Sequence, residues 1–191
     1  MGRWEPDARG RMARAALELY AERGYEQTTA ADIADRAGVT ERTFFRHFAD
    51  KREVLFDGSS QLQAAVVASI AEADGGAPLD VACGAFVAAA PILEERRDHA
   101  RRRAAVIAAH TSLQERELLK MSTLASAAAS ALQERGVGAP EAQVAAQTAV
   151  GLFGIGFERW VAADDGTSLA EQITRALADL RQLAGAQATQ G

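Results

Sequence analysis

The stretch from Thr28 to Leu55, TTAADIADRAGVTERTFFRHFADKREVL, constrains the chain most, because it writes two short helices and the turn between them. Thr29, with Asp32 three positions on, has the polar-x-x-acid pattern of a capping box. Ile33, Ala34 and Ala37 then form an apolar stripe at helical spacing. Gly38 stands where a helix end needs a left-handed residue, and Val39 can tuck beneath the turn. Thr40 caps a second helix over Glu41–His47, and Asp50 opens a third with Glu53 at its own third position. Helix, tight turn, helix is the arrangement that carries a recognition helix into the major groove of DNA.

Within the second of these helices Phe44 and Phe48 are four apart and are expected to pack inward. Arg42, Thr43 and Arg46 then fall on neighbouring exposed positions, where side chains reach base edges. An arginine on guanine O6 and N7 is the commonest specific pairing. Upstream, Met12, Ala15, Ala16, Leu19 and Tyr20 repeat at three and four, which predicts an amphipathic first helix ending near Gly24. Pro6 suits its first turn, and Tyr25 is expected to pack against Ile33. Arg3 and Arg9 either reach DNA or form a solvated arm.

With Met12 to Tyr25 before it, this stretch resembles the N-terminal domain of the TetR family of transcriptional regulators. AALELYAERGYEQTT, DIADRAGVTERTFFRHF and Lys51 carry the resemblance, over about the first 55 residues. The resemblance implies a DNA-binding surface drawn from Thr28, Thr29, Glu41, Arg42, Thr43, Phe45, Arg46, His47 and Lys51. Within it, Thr29, Thr43, His47 and Lys51 are expected on phosphates, Phe45 gives an aromatic contact, and Arg42 with Glu41 helps to select sequence. Lys51 is also expected at a helix start, where backbone amides favour a phosphate. The chain departs from the family pattern twice. Phe45 stands where such proteins usually carry Tyr, so the ring remains and the hydroxyl is gone; Arg42 stands where Gly is common, adding a charge with five donors.

Charge alone would not indicate a nucleic-acid partner. The net charge is −5, and only the division along the chain has the needed sign: +1 over residues 1–52 and −6 over the rest. Hydrophobic residues make up 48% and charged ones 25%, the balance of a globular protein with a core. No long uncharged apolar run and no apolar signal core are present, so no membrane span is expected and the location is expected to be cytoplasmic. The single Cys83, in the apolar context VACGAFVAAA, excludes an internal disulfide and reads as a buried thiol.

Beyond Asp50 the pattern predicts helices over 50–73, 79–90, 92–110, 112–135 and 140–163, then a last one capped by Ser168 with Glu171. DGGAP at 74–78 reads as a linker, Pro91 as a kink or stop, and Ser112 with Glu115 as a further capping box. No stretch alternates with period two. The fold class is therefore all-α, about nine helices; the resemblance implies a helix-turn-helix DNA-binding domain at 1–50 and a helical effector-binding and dimerisation domain at 51–191.

His47, His99 and His110 lack metal-ligand spacing, and Gly151, Gly154 and Gly156 in VGLFGIGF follow no strand, so neither a metal site nor a dinucleotide fingerprint is expected. No cofactor and no catalytic constellation are expected either, so the chain reads as a non-enzyme. The arginine run EERRDHARRR reads as a solvated helix face or as an anion-binding wall. The resulting expectation is a regulator of double-stranded operator DNA, acting as a homodimer and, in this family, most often as a repressor released by an unidentified small-molecule effector. The alternative is a sequence-tolerant architectural DNA-binding protein without an effector. The dimer contact is expected on the last two helices, through Val144, Gly151, Ile155, Leu169, Ile173, Leu177 and Leu180.

Overall fold

The computed structural model describes residues 7–186, leaving Arg3 and Pro6 outside the described residues. Among the described residues it holds ten α-helices, one short 3-10 helix and no strand, the all-α class expected. Two compact units are present. One comprises the chain up to Gly58 together with Arg102–Glu117, the other Ser59–Arg101 and the chain from Leu118 onward.

The first unit contains α1 (Ala8–Arg23), α2 (Ala30–Arg36), α3 (Glu41–His47) and the 3-10 helix Glu53–Phe56. Asp7 caps α1 by accepting the Gly10 amide at 2.9 Å, and Gly24 ends it with a positive φ of 87°. Met12, Leu19, Ile33 and Phe44 are buried against one another and against Val54, because each helix is too short to bury its apolar stripe alone. The returning segment 102–117 completes this core with Ile107 and Leu113, both buried. Polar contacts fasten it there. The Arg103 Nε donates to the Leu55 carbonyl at 2.6 Å, its guanidinium pairs with Glu117 at 3.0 Å, and it lies 5.0 Å over the Phe56 ring. Arg116 Nε donates to the Glu53 carboxylate at 2.5 Å.

The second unit contains α4 (Ser59–Glu72), α5 (Pro78–Ala89), α6 (Pro91–Glu94), the start of α7 (Arg97–Ala108), most of α8 (Thr111–Glu134), α9 (Ala139–Ala162) and α10 (Leu169–Ala186). Its core holds Val66, Ile70, Phe86, Leu132, Trp160 and Ile173. Phe86, Phe153, Phe157 and Trp160 form a chain of rings with successive centroids 5.1, 6.2 and 5.8 Å apart. The tightest approach is at Gly156, where an added Cβ would lie 2.9 Å from the Ile173 amide nitrogen. Glycine there lets α9 and α10 meet backbone to backbone, which offsets its poor helix propensity. Between α4 and α5 an open groove of about 590 Å³ is floored by Ala65, Ala68, Gly84 and Ala88, with Glu72 and Asp80 among its other lining residues. No helix among the described residues is long and apolar enough to cross a membrane.

Several element boundaries differ from the sequence reading. The helix expected over 50–73 is divided by a turn at Asp57-Gly58 into the 3-10 helix and α4. Val54, Leu55 and Phe56 are buried at successive positions, more than the single stripe of a surface helix accommodates, and Asp57 pairs with Arg9 of α1. The helix expected over 92–110 is likewise α6 and α7, with the Glu94 carboxylate accepting the Ala170 amide at 3.1 Å. The Ser112–Glu115 capping box does not form: α8 starts at Thr111, and the His110 carbonyl receives the amides of Leu113 and Gln114. The Ser168–Glu171 box does form, by reciprocal bonds of 3.0 and 3.1 Å.

The arginine run is divided: Arg96 and Arg102 stay exposed, whereas Arg97, Arg101 and Arg103 turn onto backbone carbonyls. Arg97 donates to the carbonyls of Trp160 (2.8 Å) and Ala163 (2.6 Å), while Arg101 donates to Ala163 and to Asp164 (2.7 Å). Both cap the C-terminal end of α9, where orphan carbonyls and the helix dipole favour a cation. Arg103, from the same run, serves the first unit.

Candidate nucleic-acid interface

The helix-turn-helix is built from local bonds that the sequence dictates. The Thr29 side chain accepts the Asp32 amide at 3.1 Å while Asp32 accepts the Thr29 amide at 2.8 Å, closing the capping box of α2. At the other end the Val39 amide returns to the Ala34 carbonyl (2.9 Å) and the Gly38 amide to Asp35 (3.1 Å). Those are the two bonds of a Schellman turn, and they require the left-handed φ of 69° at Gly38. Thr40 then caps α3 by accepting the Thr43 amide at 3.2 Å. The turn from Ala37 to Thr40 is thus fixed by bonds at both sides, which sets the angle at which α3 leaves the core.

α3 is sharply two-faced. Phe44 and Phe48 are buried, with ring centroids 5.6 Å apart, as their spacing predicts. Glu41, Arg42, Phe45 and Arg46 are exposed on the other side, and Thr43 and His47 flank them half-buried. Phe45 leaves 53% of its surface open.

Counter-charges explain why so weak a net charge suffices. Arg23 pairs with Asp32 at 3.4 Å, Arg36 with Glu22 at 2.8 Å and Glu18 at 3.6 Å, Arg52 with Asp50 at 2.6 Å, and Arg9 with Asp57. Hydrogen bonds from Thr29, helped by the charge of Arg23, hold the Asp32 carboxyl below its ordinary range. Bonding to Arg36 does the same for Glu22. Burial works to raise Asp50, but hydrogen bonds from Arg52 and from the amides of Glu53 and Arg52 outweigh it and hold that carboxyl low. Among the described arginines of this unit Arg14, Arg42 and Arg46 have no such acid, and two of the three stand on the outer face of α3. The outer face of α3 thus carries two arginines without an ion-pair partner, beside the exposed Glu41. Arg14, exposed on α1, carried no signal in the sequence; its lack of a partner emerges only from the packing.

Two expected contact residues are corrected by the geometry. Thr28 is 0% exposed, and its hydroxyl donates to the Gly24 carbonyl at 2.9 Å. It closes the α1–α2 turn and has no surface to offer a phosphate. Lys51 directs its ammonium inward, to the carbonyls of Tyr25 (2.8 Å), Thr28 (3.0 Å) and Glu26 (3.4 Å), and stands 4.3 Å over the Tyr25 ring. All three donors of a lysine are thereby engaged. Nor does Lys51 open a helix, since it sits in the turn before Glu53–Phe56. The Tyr20 hydroxyl donates to the Lys51 carbonyl at 2.6 Å, and burial drives that phenol far above its ordinary pKa. Tyr25 packs edge-on against Tyr20 and 5.1 Å from the His110 ring as well as joining the core of Ile33. Thr29 stays exposed, though its hydroxyl donates to Asp32 at 2.7 Å, and Thr43 bonds the Thr40 hydroxyl at 3.0 Å.

This fold and surface define a helix-turn-helix regulator with a separate helical unit. The comparisons with known proteins make that specific: the chain belongs to the TetR family of transcriptional regulators. Residues 13–57 match the family described as bacterial regulatory proteins, tetR family, and residues 76–184 match the MftR C-terminal domain. Over 79 residues the chain is 43% identical to the regulator TcmR of Streptomyces glaucescens, a match covering 41% of this chain and 35% of TcmR. It is 43% identical over 47 residues to the repressor KstR2 of Mycobacterium tuberculosis, covering 25% of this chain and 24% of KstR2. These curated relatives are therefore matched over only about a quarter to a third of their own length. FadR of Thermus thermophilus, a TetR-family repressor solved with lauroyl-CoA, is similar at a TM-score of 0.57 and 28% identity, over 88% of this chain and 91% of that one. FadR of Bacillus subtilis, solved with stearoyl-CoA, shares the fold at a TM-score of 0.61 and 19% identity, over 88% and 95%.

Proposed function

We propose that this regulator is a homodimeric repressor that leaves its operator when a small molecule binds the larger part of the chain. DNA reading is assigned to the first unit, through Thr29, Glu41, Arg42, Thr43, Phe45, Arg46 and His47; effector binding and dimerisation are assigned to the second, so the boundary expected at residue 50 moves to Gly58 and the first unit also takes 102–117. The observation that carries the reading is the outer face of α3, which gathers two unpaired arginines and an exposed ring on a capped helix. Relatives solved with acyl-CoA ligands support a ligand-responsive regulator. An effector needs only to prefer the conformation that cannot span two half-sites.

The dimer contact is narrower than the sequence suggests. Leu169 and Ile173 are buried in their own chain, and Leu177 and Leu180 are packed against the same core. What remains outward is a stripe on α9, where Val144 is 67% exposed, Ile155 is exposed, and a Cβ on Gly151 would meet nothing. Leu183 near the end of α10 is exposed too. A two-fold dimer that reads two half-sites needs its recognition helices about 34 Å apart, one turn of DNA. Selecting bound sequences from a random duplex pool, then screening metabolites for release, tests the whole reading. An enriched pseudo-palindrome and a releasing metabolite are expected. A pool that shows no enrichment would favour the architectural alternative, and a protein that sediments as a monomer would remove the dimer.

A further inference from the structure

The unpaired charges of α3 specify more than an affinity for DNA. Arg42 and Arg46 are exposed, have no acid within the described chain, and lie four residues apart on one face. Four residues advance about 6 Å along an α-helix, and consecutive bases on one strand are about 3.4 Å apart. Both guanidiniums can therefore address base pairs within about two steps of each other. Each offers a planar fork of N–H donors and no acceptor. In the major groove, the edge with two adjacent acceptors is guanine, through O6 and N7. Adenine interposes a donor, and thymine offers O4 beside a methyl group.

The surrounding residues narrow the choice. The half-buried flank of α3 already carries Thr43 and His47, side chains suited to phosphate oxygens. Phe45 stands between the two arginines and has no donor, so it supplies apolar contact and not a competing bond. Glu41, exposed beside Arg42, accepts only, and an acid in the groove is tolerated where it meets a base amino group such as cytosine N4. A guanine opposite cytosine satisfies both kinds of side chain within one pair.

We propose that each operator half-site contains two guanines within two base-pair steps, one read by Arg42 and the other by Arg46. This rests on the repressor reading above and deepens it to the class of sequence recognised. Arg46 is the further specificity-determining residue. Its place in the last turn of α3 also suits the helix dipole. A dipole role would alter stability alike with or without DNA and would leave base preference untouched.

The full-length protein and a selected operator provide the test. Replacing one guanine at a time by 7-deazaguanine removes N7 and leaves pairing intact. Two positions per half-site should each lose affinity, and Arg42→Ala and Arg46→Ala should each abolish the effect at one of them. Loss of one bidentate contact should weaken binding roughly 5- to 150-fold. Arg46→Gln provides a second variant if truncation disturbs the helix, and the deazaguanine series on the unaltered protein needs no variant at all. A preferred site without two such guanines overturns this inference and leaves the repressor reading standing. A pool with no preferred site overturns both. Equal loss by either arginine variant on operator and scrambled DNA would make these residues phosphate contacts and overturn the guanine assignment.

Discussion

Replacing Lys51 by methionine separates a structural lysine from a phosphate-binding one. Methionine keeps much of the apolar stem and removes the charge. The ammonium now donates to Tyr25, Thr28 and Glu26, and the first two bonds, at 2.8 and 3.0 Å, are part-buried. A hydrogen bond to a charged group contributes about 1.5–3 kcal/mol. Because Lys51 is half-exposed, water recovers part of that, so the low end applies to each of the two part-buried bonds. Stacking on Tyr25 adds about 0.5–1 kcal/mol. The expected loss is about 3.5–4 kcal/mol, a fall of roughly 15–30 °C in the melting of a unit of this size. Circular dichroism during a thermal scan measures it. Operator titrations at two salt concentrations, run where the variant is folded, supply the second readout. A lost phosphate contact would reduce the salt slope by about 0.9, whereas a lost internal staple leaves the slope unchanged. Unaltered melting together with a slope reduced by that amount would refute the assignment.

Three further outcomes follow from particular contacts. Phe45→Tyr restores a hydroxyl at an exposed position and should tighten operator and scrambled DNA alike by about 0.5–1.5 kcal/mol; a gain confined to the operator would show that this residue reads bases. Gly156→Ala should destabilise the second unit by about 1–3 kcal/mol, since its Cβ would press on the Ile173 backbone. Gly151→Ala, in open space, should not destabilise the isolated subunit, and equal melting of the two variants would argue against the close crossing. For Cys83, burial, reinforced by Asp80 and opposed by Arg181, pushes the thiol up to about 11. Its folded pKa exceeds the ordinary value of about 8.5, so the stability held in the neutral thiol is complete below that value and is lost as pH rises through 11. Cys83→Ala should show a shallower alkaline fall in melting temperature than the parent, and superimposable alkaline limbs would count against it.

What could be read from the sequence was local. The caps at Thr29, Thr40 and Ser168 and the left-handed Gly38 are bonds between residues a few positions apart, so spacing alone reveals them. The inward Phe44 and outward Arg42 follow from the helical period in the same way. Most failures were contacts over long sequence separations. Lys51 has the position of a phosphate ligand in the family pattern, yet its direction is set by carbonyls more than twenty residues upstream. The arginine run looks uniform, but Arg97 and Arg101 reach more than sixty residues ahead to the end of α9, while Arg103 reaches back to Leu55. Ser112 had the right partner at the right spacing, and the helix nevertheless begins one residue earlier. The apolar face of α10 was over-read, because periodicity marks every apolar position and does not say which ones the chain's own core will cover.

The return of residues 102–117 to the first unit bears on how such regulators can be recombined. Ile107 and Leu113 are essentially buried in that core, at about 1.5–3 kcal/mol each if left without their setting. A fragment ending at Gly58 would leave the matching apolar surface open to water and would also lose the pairs of Arg103 and Arg116. A chimera joining this reading head to a foreign sensor therefore needs its seams inside α7 and α8, with the tip of that hairpin travelling with the head. Recombination at a single point in the linear chain would hand the new sensor a head whose core is missing two of its members.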